Sequence, residues 1–222
     1  INSASFDAYW YNEKYVDDAR IPSWGVLFEP EEKAKGRITV VDDMYKVLAD
    51  ALAYLGYPID SVDEGELMEV RDLMMEFKPS VLAFDSWPKR LILEEEAWIC
   101  GGSYAEGLML HKENEAITAQ APLEPSRLAT EIVQIPIGAP HPAAAHLWIN
   151  YIFRPQVSAF ISGVIGEQPA NPEAWQYRSA HMQDWLAGIP EGYVAGCREI
   201  GERALTGQGK ELRVAIWEEL KS

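Results

Sequence analysis

Polar residues that could bind a ligand follow three of the short apolar runs in this 222-residue chain. Asp43, Asp85 and Ser103 each come within three residues of the end of such a run. In open α/β sheets, ligands bind at the carboxyl ends of strands, beside helix N-termini. On neighbouring strands, Asp43 and Asp85 could pair with an ammonium group while Ser103 donates a hydrogen bond. Helix capping by Asp42 or Asp43, and a plain strand-to-helix turn ending at Ser103, would explain the same residues.

The sequence contains no constellation of residues that is typical of an enzyme. Residues 101–105 read Gly-Gly-Ser-Tyr-Ala and lack the final glycine of a nucleophile elbow. The four histidines have no metal-ligand spacing, and neither a phosphate loop nor a dinucleotide-binding fingerprint occurs. The sequence therefore predicts a binding protein with no catalytic residue, metal or cofactor. A fragment of an α/β enzyme is the alternative.

The elements that must position these residues alternate between strand and helix in the first half of the chain. Short apolar runs predict strands at 37–41, 81–84, 97–100 and 117–121. Amphipathic segments between them predict helices, so we expect βαβ units around a mainly parallel sheet. Near the N-terminus, Trp10, Tyr11 and Tyr15 lie at roughly helical spacing. After residue 140 the pattern is mostly helical, which indicates a second packing unit.

Composition excludes several classes of partner. The formal net charge is -16, from 35 acidic and 19 basic residues, which argues against nucleic acid and against an anionic membrane surface. No apolar stretch reaches the length of about 18 residues that a membrane-spanning helix needs. The first residues do not form a signal peptide. Cys100 and Cys197 are expected to be buried free thiols, with one disulfide as the alternative.

A series of short motifs runs along the chain from residue 24 to residue 171. The most specific are Ile-Asn-Tyr-Ile-Phe-Arg-Pro at 149–155 and Ile-Gly-Glu-Gln-Pro-Ala-Asn at 165–171. Others, in the same order, are Trp24–Pro30, Gly36–Asp43, Phe84–Ser86 and Trp98–Tyr104. This series resembles the bacterial extracellular (periplasmic) solute-binding proteins of ABC importers, and most of all the spermidine/putrescine-binding branch.

The resemblance implies a periplasmic-binding-protein-like α/β fold in which two lobes close on a ligand. Residues 1–7 and 129–139 would be the crossover strands of the hinge. Residues 8–128 would form the α/β lobe two, and residues 140–222 the helical C-terminal part of lobe one. An N-terminal part of lobe one, on the order of 100 residues, would then be absent together with its signal peptide. The protein would be periplasmic or extracellular, either free or lipid-anchored, and would not span the membrane.

The resemblance also extends the candidate site. Asp43 and Glu131 match positions where the family holds ammonium groups with acids, and Glu167 replaces a tyrosine. Lys46 replaces a second acid, and aromatic residues that would line the site are lost at other positions. The predicted ligand-binding residues are Asp43, Asp85, Ser103, Glu131 and Glu167.

Three roles are compatible with these residues. The first is capture of a small polar, cationic, polyamine-like solute and its delivery to an ABC transporter permease. The second keeps the fold but makes the chain a ligand-loaded sensor that docks on a membrane receptor. The third is the α/β enzyme fragment, for which no nucleophile, metal site or cofactor loop is found.

Overall fold

The computed structural model describes residues 3–17 and 21–222, and the fold is α/β as the sequence predicts. The strands are β1 Ser3–Asn12, β2 Ile38–Val40, β3 Val81–Phe84, β4 Ile99–Ser103, β5 Ile117–Gln120, β6 Leu128–Glu131 and β7 Gln168–Pro169. The longer helices are α2 Met44–Tyr54, α3 Glu64–Phe77, α5 Tyr104–Glu113, α6 Pro142–Ile152, α7 Pro155–Ile165, α8 Ala180–Ala187 and α11 Gly207–Lys221. The short helices are α1 Gly25–Phe28, α4 Lys89–Leu93, α9 Tyr193–Gly196 and α10 Glu202–Leu205.

The sheet is mixed, whereas the strand–helix alternation predicted a mainly parallel one. Its strands lie in the order β3-β2-β4-β1-β5, and β6 and β7 also pair with β1. Strand β2 runs parallel to β3 and β4, as βαβ units require. Strand β1 is antiparallel to β4, β5, β6 and β7. The prediction was wrong because β1 lies in the middle of the sheet and runs in the opposite direction to the strands that pair with it.

Strand β1 is also where the helical spacing of the aromatic residues misleads. Phe6, Ala8 and Trp10 pack into one hydrophobic core, while Tyr9 packs into the core on the other side of the sheet. Successive side chains of a strand point to opposite faces, so a strand buried on both faces can be apolar at consecutive positions, as β1 is from Ala8 to Tyr11. Such a run carries no periodicity of its own.

Local sequence explains where the helices at the sheet edge begin. The Asp43 side chain caps α2, and the Asp63 side chain caps α3 by accepting a hydrogen bond from Glu66 N. Ser103 and Glu106 form a reciprocal capping box at the start of α5. Helix α7 ends at Gly166, whose φ of 80° lies in the left-handed region that favours glycine. Each polar cap satisfies backbone N–H groups that would otherwise lack partners.

Helices α6 and α7 carry a broad apolar surface, which we call the α6–α7 face. It consists of exposed side chains from both helices: Leu147, Trp148, Tyr151, Phe160 and Val164. Leu147 is 72% exposed and Phe160 is 73% exposed. Large contiguous apolar surfaces on soluble proteins usually mark contacts with another polypeptide segment.

The C-terminal helix α11 packs on α2 and α3. Ile216 and Leu220 belong to the same hydrophobic core as those helices, and Arg213 donates a hydrogen bond to Ser61 O. The division of the chain at 7, 128 and 139 stays a prediction. Within it, α11 lies against the segment assigned to lobe two, and β1 runs unbroken across the predicted boundary at residue 7. Residues 1 and 2 of the predicted hinge lie outside the described residues.

Candidate functional site

The Asp43 side chain both caps helix α2 and forms part of a cavity wall. Its Oδ1 accepts hydrogen bonds from the backbone N–H of Tyr45 at 2.9 Å and of Lys46 at 3.2 Å. The same side chain lines a cavity of about 450 Å³ between the start of α2, β6 and residues 199–205. The capping alternative therefore holds for Asp43 without excluding a ligand contact. Asp42 is paired with Lys221, with 2.7 Å between the nearest charged atoms.

The cavity is acidic. Its wall includes Asp43, Glu131 and Glu199, and its basic residue is Arg127. Arg127 is already paired with another acid, because its Nε and Nη2 donate to the two carboxylate oxygens of Asp7 at 2.9 and 3.2 Å. Three carboxylates that face one neutralised guanidinium favour a cationic ligand. The remaining wall comes mainly from aliphatic residues, Leu128, Ala129, Ile200 and Leu205.

A network of buried charges lies behind this wall. Asp7, Lys46 and Asp50 are all at most 4% exposed. Lys46 Nζ lies 2.8 Å from Asp7 Oδ1 and 3.6 Å from Asp50 Oδ2, and it donates to Gly102 O at 2.8 Å. Burial raises the pKa of the Asp50 carboxyl well above its usual range, with the Lys46 ammonium opposing this and the Asp7 carboxylate adding to it.

Glu167 is brought close to Glu131 by the pairing of both flanking strands with β1. Ser3 is opposite Glu131 in the β1–β6 ladder and opposite Pro169 in the β1–β7 ladder. The Ser3 hydroxyl donates a hydrogen bond to Glu167 Oε2. Burial raises the pKa of Glu167, the Ser3 hydrogen bond opposes this, and the carboxylates of Glu131 and Glu106 raise it further. A second group of acids is therefore formed by Glu131, Glu167 and Glu106.

Ser103 and Asp85 have local partners. The Ser103 hydroxyl donates to Glu106 Oε2 at 2.8 Å and accepts from Glu106 N at 3.2 Å, so these contacts link it to the acidic group through Glu106. Asp85 Oδ1 accepts from Trp87 N at 2.8 Å and shapes the turn after β3. None of the hydrogen bonds and ion pairs that Asp85 forms in the described part of the chain reaches the other four predicted residues. Their shared role in one cleft stays a prediction.

Several residues of this region were not predicted as site residues. Asp7 and Arg127 are 120 positions apart, and Glu199 lies beyond residue 171, where the series of family-like motifs ends. One signal was present in the sequence: Lys46 and Asp50 lie four residues apart on the apolar side of α2. Charged residues at that spacing on a buried helix face indicate an internal ion pair.

Within residues 3–17 and 21–222, no group of three or more His, Cys, Asp or Glu side chains is placed to hold a metal ion. None of the described helices combines the length and the apolar character that crossing a bilayer requires. Cys100 and Cys197 are free and buried, as expected.

The chain is similar in sequence to proteins that are named for binding polyamines. No protein-family model matches the chain. The chain is 26% identical to a putrescine/cadaverine-binding protein of Pseudomonas aeruginosa over 223 aligned residues, which cover 95% of the chain and 62% of that protein. It is 28% identical to the spermidine/putrescine-binding periplasmic protein of Escherichia coli over 164 residues, which cover 72% of the chain and 46% of that protein. The chain thus spans less than two thirds of either relative.

A solved structure shows the same fold. The spermidine/putrescine ABC transporter substrate-binding protein PotD of Streptococcus pneumoniae superimposes with a TM-score of 0.84. The match covers 100% of the chain and 69% of that protein, at 22% sequence identity. The fold is therefore that of periplasmic binding proteins, and the resemblance inferred from the sequence is confirmed. Both curated relatives are named as binding proteins.

Proposed function

We propose that this chain belongs to an extracellular solute-binding protein that captures a small cationic solute and delivers it to the permease of an ABC importer. The observation that supports this most directly is the acidic cavity lined by Asp43, Glu131 and Glu199. The curated relatives are named for binding putrescine, cadaverine or spermidine, and the one from Escherichia coli is named as a periplasmic protein. We therefore place the protein in the periplasm or outside the cell.

Recognition in this cavity would depend on carboxylates and not on covalent chemistry. An ammonium group has three N–H donors and no acceptor, so it is satisfied by oxygen atoms that converge from several sides. Asp43 approaches from the start of α2, Glu131 from the end of β6, and Glu199 from the loop before α10. Glu199 is held in place because its carboxylate accepts a hydrogen bond from the Thr130 hydroxyl. The aliphatic wall suits the methylene part of an alkylamine.

Isothermal titration calorimetry tests this proposal. The panel would contain putrescine, cadaverine, spermidine and n-butylammonium, with neutral 1,4-butanediol and anionic succinate as controls matched in chain length. We expect heat of binding only with the cations, and weaker binding at higher ionic strength because salt screens partly exposed charges.

Two variants separate the cavity from the overall acidity of the chain. Glu131→Gln should weaken binding of the cation several-fold, because it removes a charged partner at an exposed position, where an ion pair contributes about 0.2–1 kcal/mol. Glu76→Gln on the exposed face of α3 removes the same charge away from the cavity wall and should bind like the parent. Equal binding by both variants, or equal heats from butanediol and putrescine, would contradict the proposal.

A further inference from the structure

Lys46 is a buried lysine whose ammonium group is surrounded by oxygen atoms. Its side chain is 5% exposed, and Nζ lies 2.8 Å from Asp7 Oδ1, 2.8 Å from Gly102 O and 3.6 Å from Asp50 Oδ2. These partners come from β1, β4 and α2, so the oxygens converge from three different elements. A convergent set of carboxylate and carbonyl oxygens is the environment that any alkylammonium ion requires for binding.

This environment has more acceptor capacity than Lys46 uses. Asp50 is 2% exposed, and its Oδ1 has no hydrogen-bond partner among the described residues. Leaving a buried polar atom unpaired is costly, and most buried oxygens have partners. The oxygens around Lys46 therefore resemble a ligand site more than a minimal ion pair.

The same oxygens lie directly behind the wall of the solute cavity. Asp43, which lines the cavity, accepts a hydrogen bond from Lys46 N. Asp7, which holds the Lys46 ammonium, is also held by Arg127, and Arg127 lines the cavity too. One chain of contacts, through Asp7 and Arg127, thus connects the buried ammonium to the place where a solute would bind, and Asp43 connects that place to the backbone of Lys46.

We propose that Lys46 is a specificity-determining residue whose tethered ammonium permanently fills an alkylammonium site formed by Asp7, Asp50 and Gly102 next to the solute cavity. A bound solute then finds Asp7 and Asp50 already paired with Lys46. The cavity accepts a solute with one cationic group, held by Asp43, Glu131 and Glu199, and gains nothing from a second ammonium group. The part of this inference that concerns solutes rests on the proposed function.

Chemical rescue tests, without any solute, whether the Lys46 ammonium fills an alkylammonium site. Lys46→Ala removes Cγ, Cδ, Cε and Nζ, and n-propylammonium has the same four heavy atoms. Thermal unfolding of the parent, Lys46→Ala and Lys46→Met would be followed with n-propylammonium chloride and with sodium chloride at equal ionic strength. Lys46→Met is the matched control, because its side chain fills the space of the lysine stem without a charge.

We expect n-propylammonium to raise the melting temperature of Lys46→Ala by about 5–10 °C at about 100 times its dissociation constant. The parent and Lys46→Met should shift no more than they do with sodium chloride. A folded Lys46→Ala variant without this selective rise would overturn the proposal, as would an equal rise in all three proteins. If Lys46→Ala does not fold, the double variant Lys46→Ala/Asp50→Asn, which loses one acid together with the cation, is used in its place. We then expect the same selective rise of its melting temperature with n-propylammonium.

The solute part is tested by calorimetry with putrescine and n-butylammonium. The parent should bind the two within about threefold of each other, because it uses one ammonium group only. Lys46→Ala should prefer putrescine by more than tenfold, because the second ammonium can enter the vacated oxygens. An unchanged preference in a variant that n-propylammonium rescues would overturn the specificity role. Absence of binding by the parent with any cation would instead overturn the proposed function, and the rescue would still decide whether Lys46 fills an ammonium site.

Discussion

Substitution of Asp43 can separate its contribution to stability from its contribution to binding. Its Oδ1 accepts hydrogen bonds from two backbone N–H groups at the start of α2. Asp43→Ala removes both, and loss of an N-cap costs about 1 kcal/mol of unfolding free energy, within a range of about 0.5–2 kcal/mol. For a chain of this length that corresponds to a fall of about 2–4 °C in melting temperature. Asp43→Asn keeps an oxygen acceptor and should cost less than half as much, since Asn and Asp are similar caps.

The two Asp43 substitutions should differ in their effect on stability but not in their effect on binding. Both Asp43→Ala and Asp43→Asn remove the carboxylate from the cavity wall, so both should weaken binding of a cation more than tenfold, which is about 1.4 kcal/mol. Urea unfolding measures the stability of each variant, and calorimetry with putrescine and n-butylammonium measures binding. Asp43→Asn should therefore be nearly as stable as the parent and as weak a binder as Asp43→Ala.

A second helix cap supplies the control for this comparison. Asp63 caps α3 through a 3.1 Å bond from Glu66 N and is not part of the cavity wall. Asp63→Ala should lose about as much stability as Asp43→Ala and retain the parent's affinity. If Asp63→Ala also loses tenfold in affinity, the binding defect follows from lost stability and the role of the Asp43 carboxylate is refuted. If Asp43→Asn unfolds as readily as Asp43→Ala, Asp43 does not stabilise the protein by capping α2.

Two further predictions concern packing and association. Gly102→Ala should lower the free energy of unfolding in urea by more than about 2 kcal/mol, because a Cβ there would lie 2.0 Å from the Trp10 ring. Gly163→Ala, which has open space around it in helix α7, should raise that free energy by about 0.5–1 kcal/mol. Equal effects of the two substitutions would contradict the packing argument. The chain by itself should self-associate through the α6–α7 face, and Leu147→Glu/Phe160→Glu should reduce the mass seen by light scattering. A parent that is monomeric at all concentrations would contradict this role of the face.

The features that the sequence predicted well are those determined within a few residues. Asp43 and Ser103 each precede a helix that begins at the next residue, and a side-chain oxygen reaches only to the following N–H groups. The order of β2, α2, α3 and β3 follows from the same local patterns. Strand β1 was harder, because its apolar residues face two cores and show no alternation. Its place in the sheet depends on partners about 90–160 residues away.

The candidate site was predicted only in part for the same reason. Sequence reasoning selected Asp43 and Glu131, and the structure brings both into one cavity wall. It could not pair Asp7 with Arg127, because no local pattern joins residues on two different strands. Ser103 and Asp85 were selected by their position after a strand, but a position at the end of a strand does not determine where a side chain finds its partner. Their nearest partners are the capping and turn groups that such residues usually bind.

The buried charges are better explained by placement of the cavity wall than by stability. Buried ion pairs are weak evidence for stability, because desolvation offsets much of their attraction and apolar replacements are often equally stable. Here Asp7 of β1 is held by Lys46 of α2 and by Arg127, the residue before β6. Helix α2 carries Asp43 at its start and β6 carries Glu131 at its end. One buried carboxylate thus fixes the two elements that present the acids of the cavity, and a shift of either element would leave a buried charge unpaired.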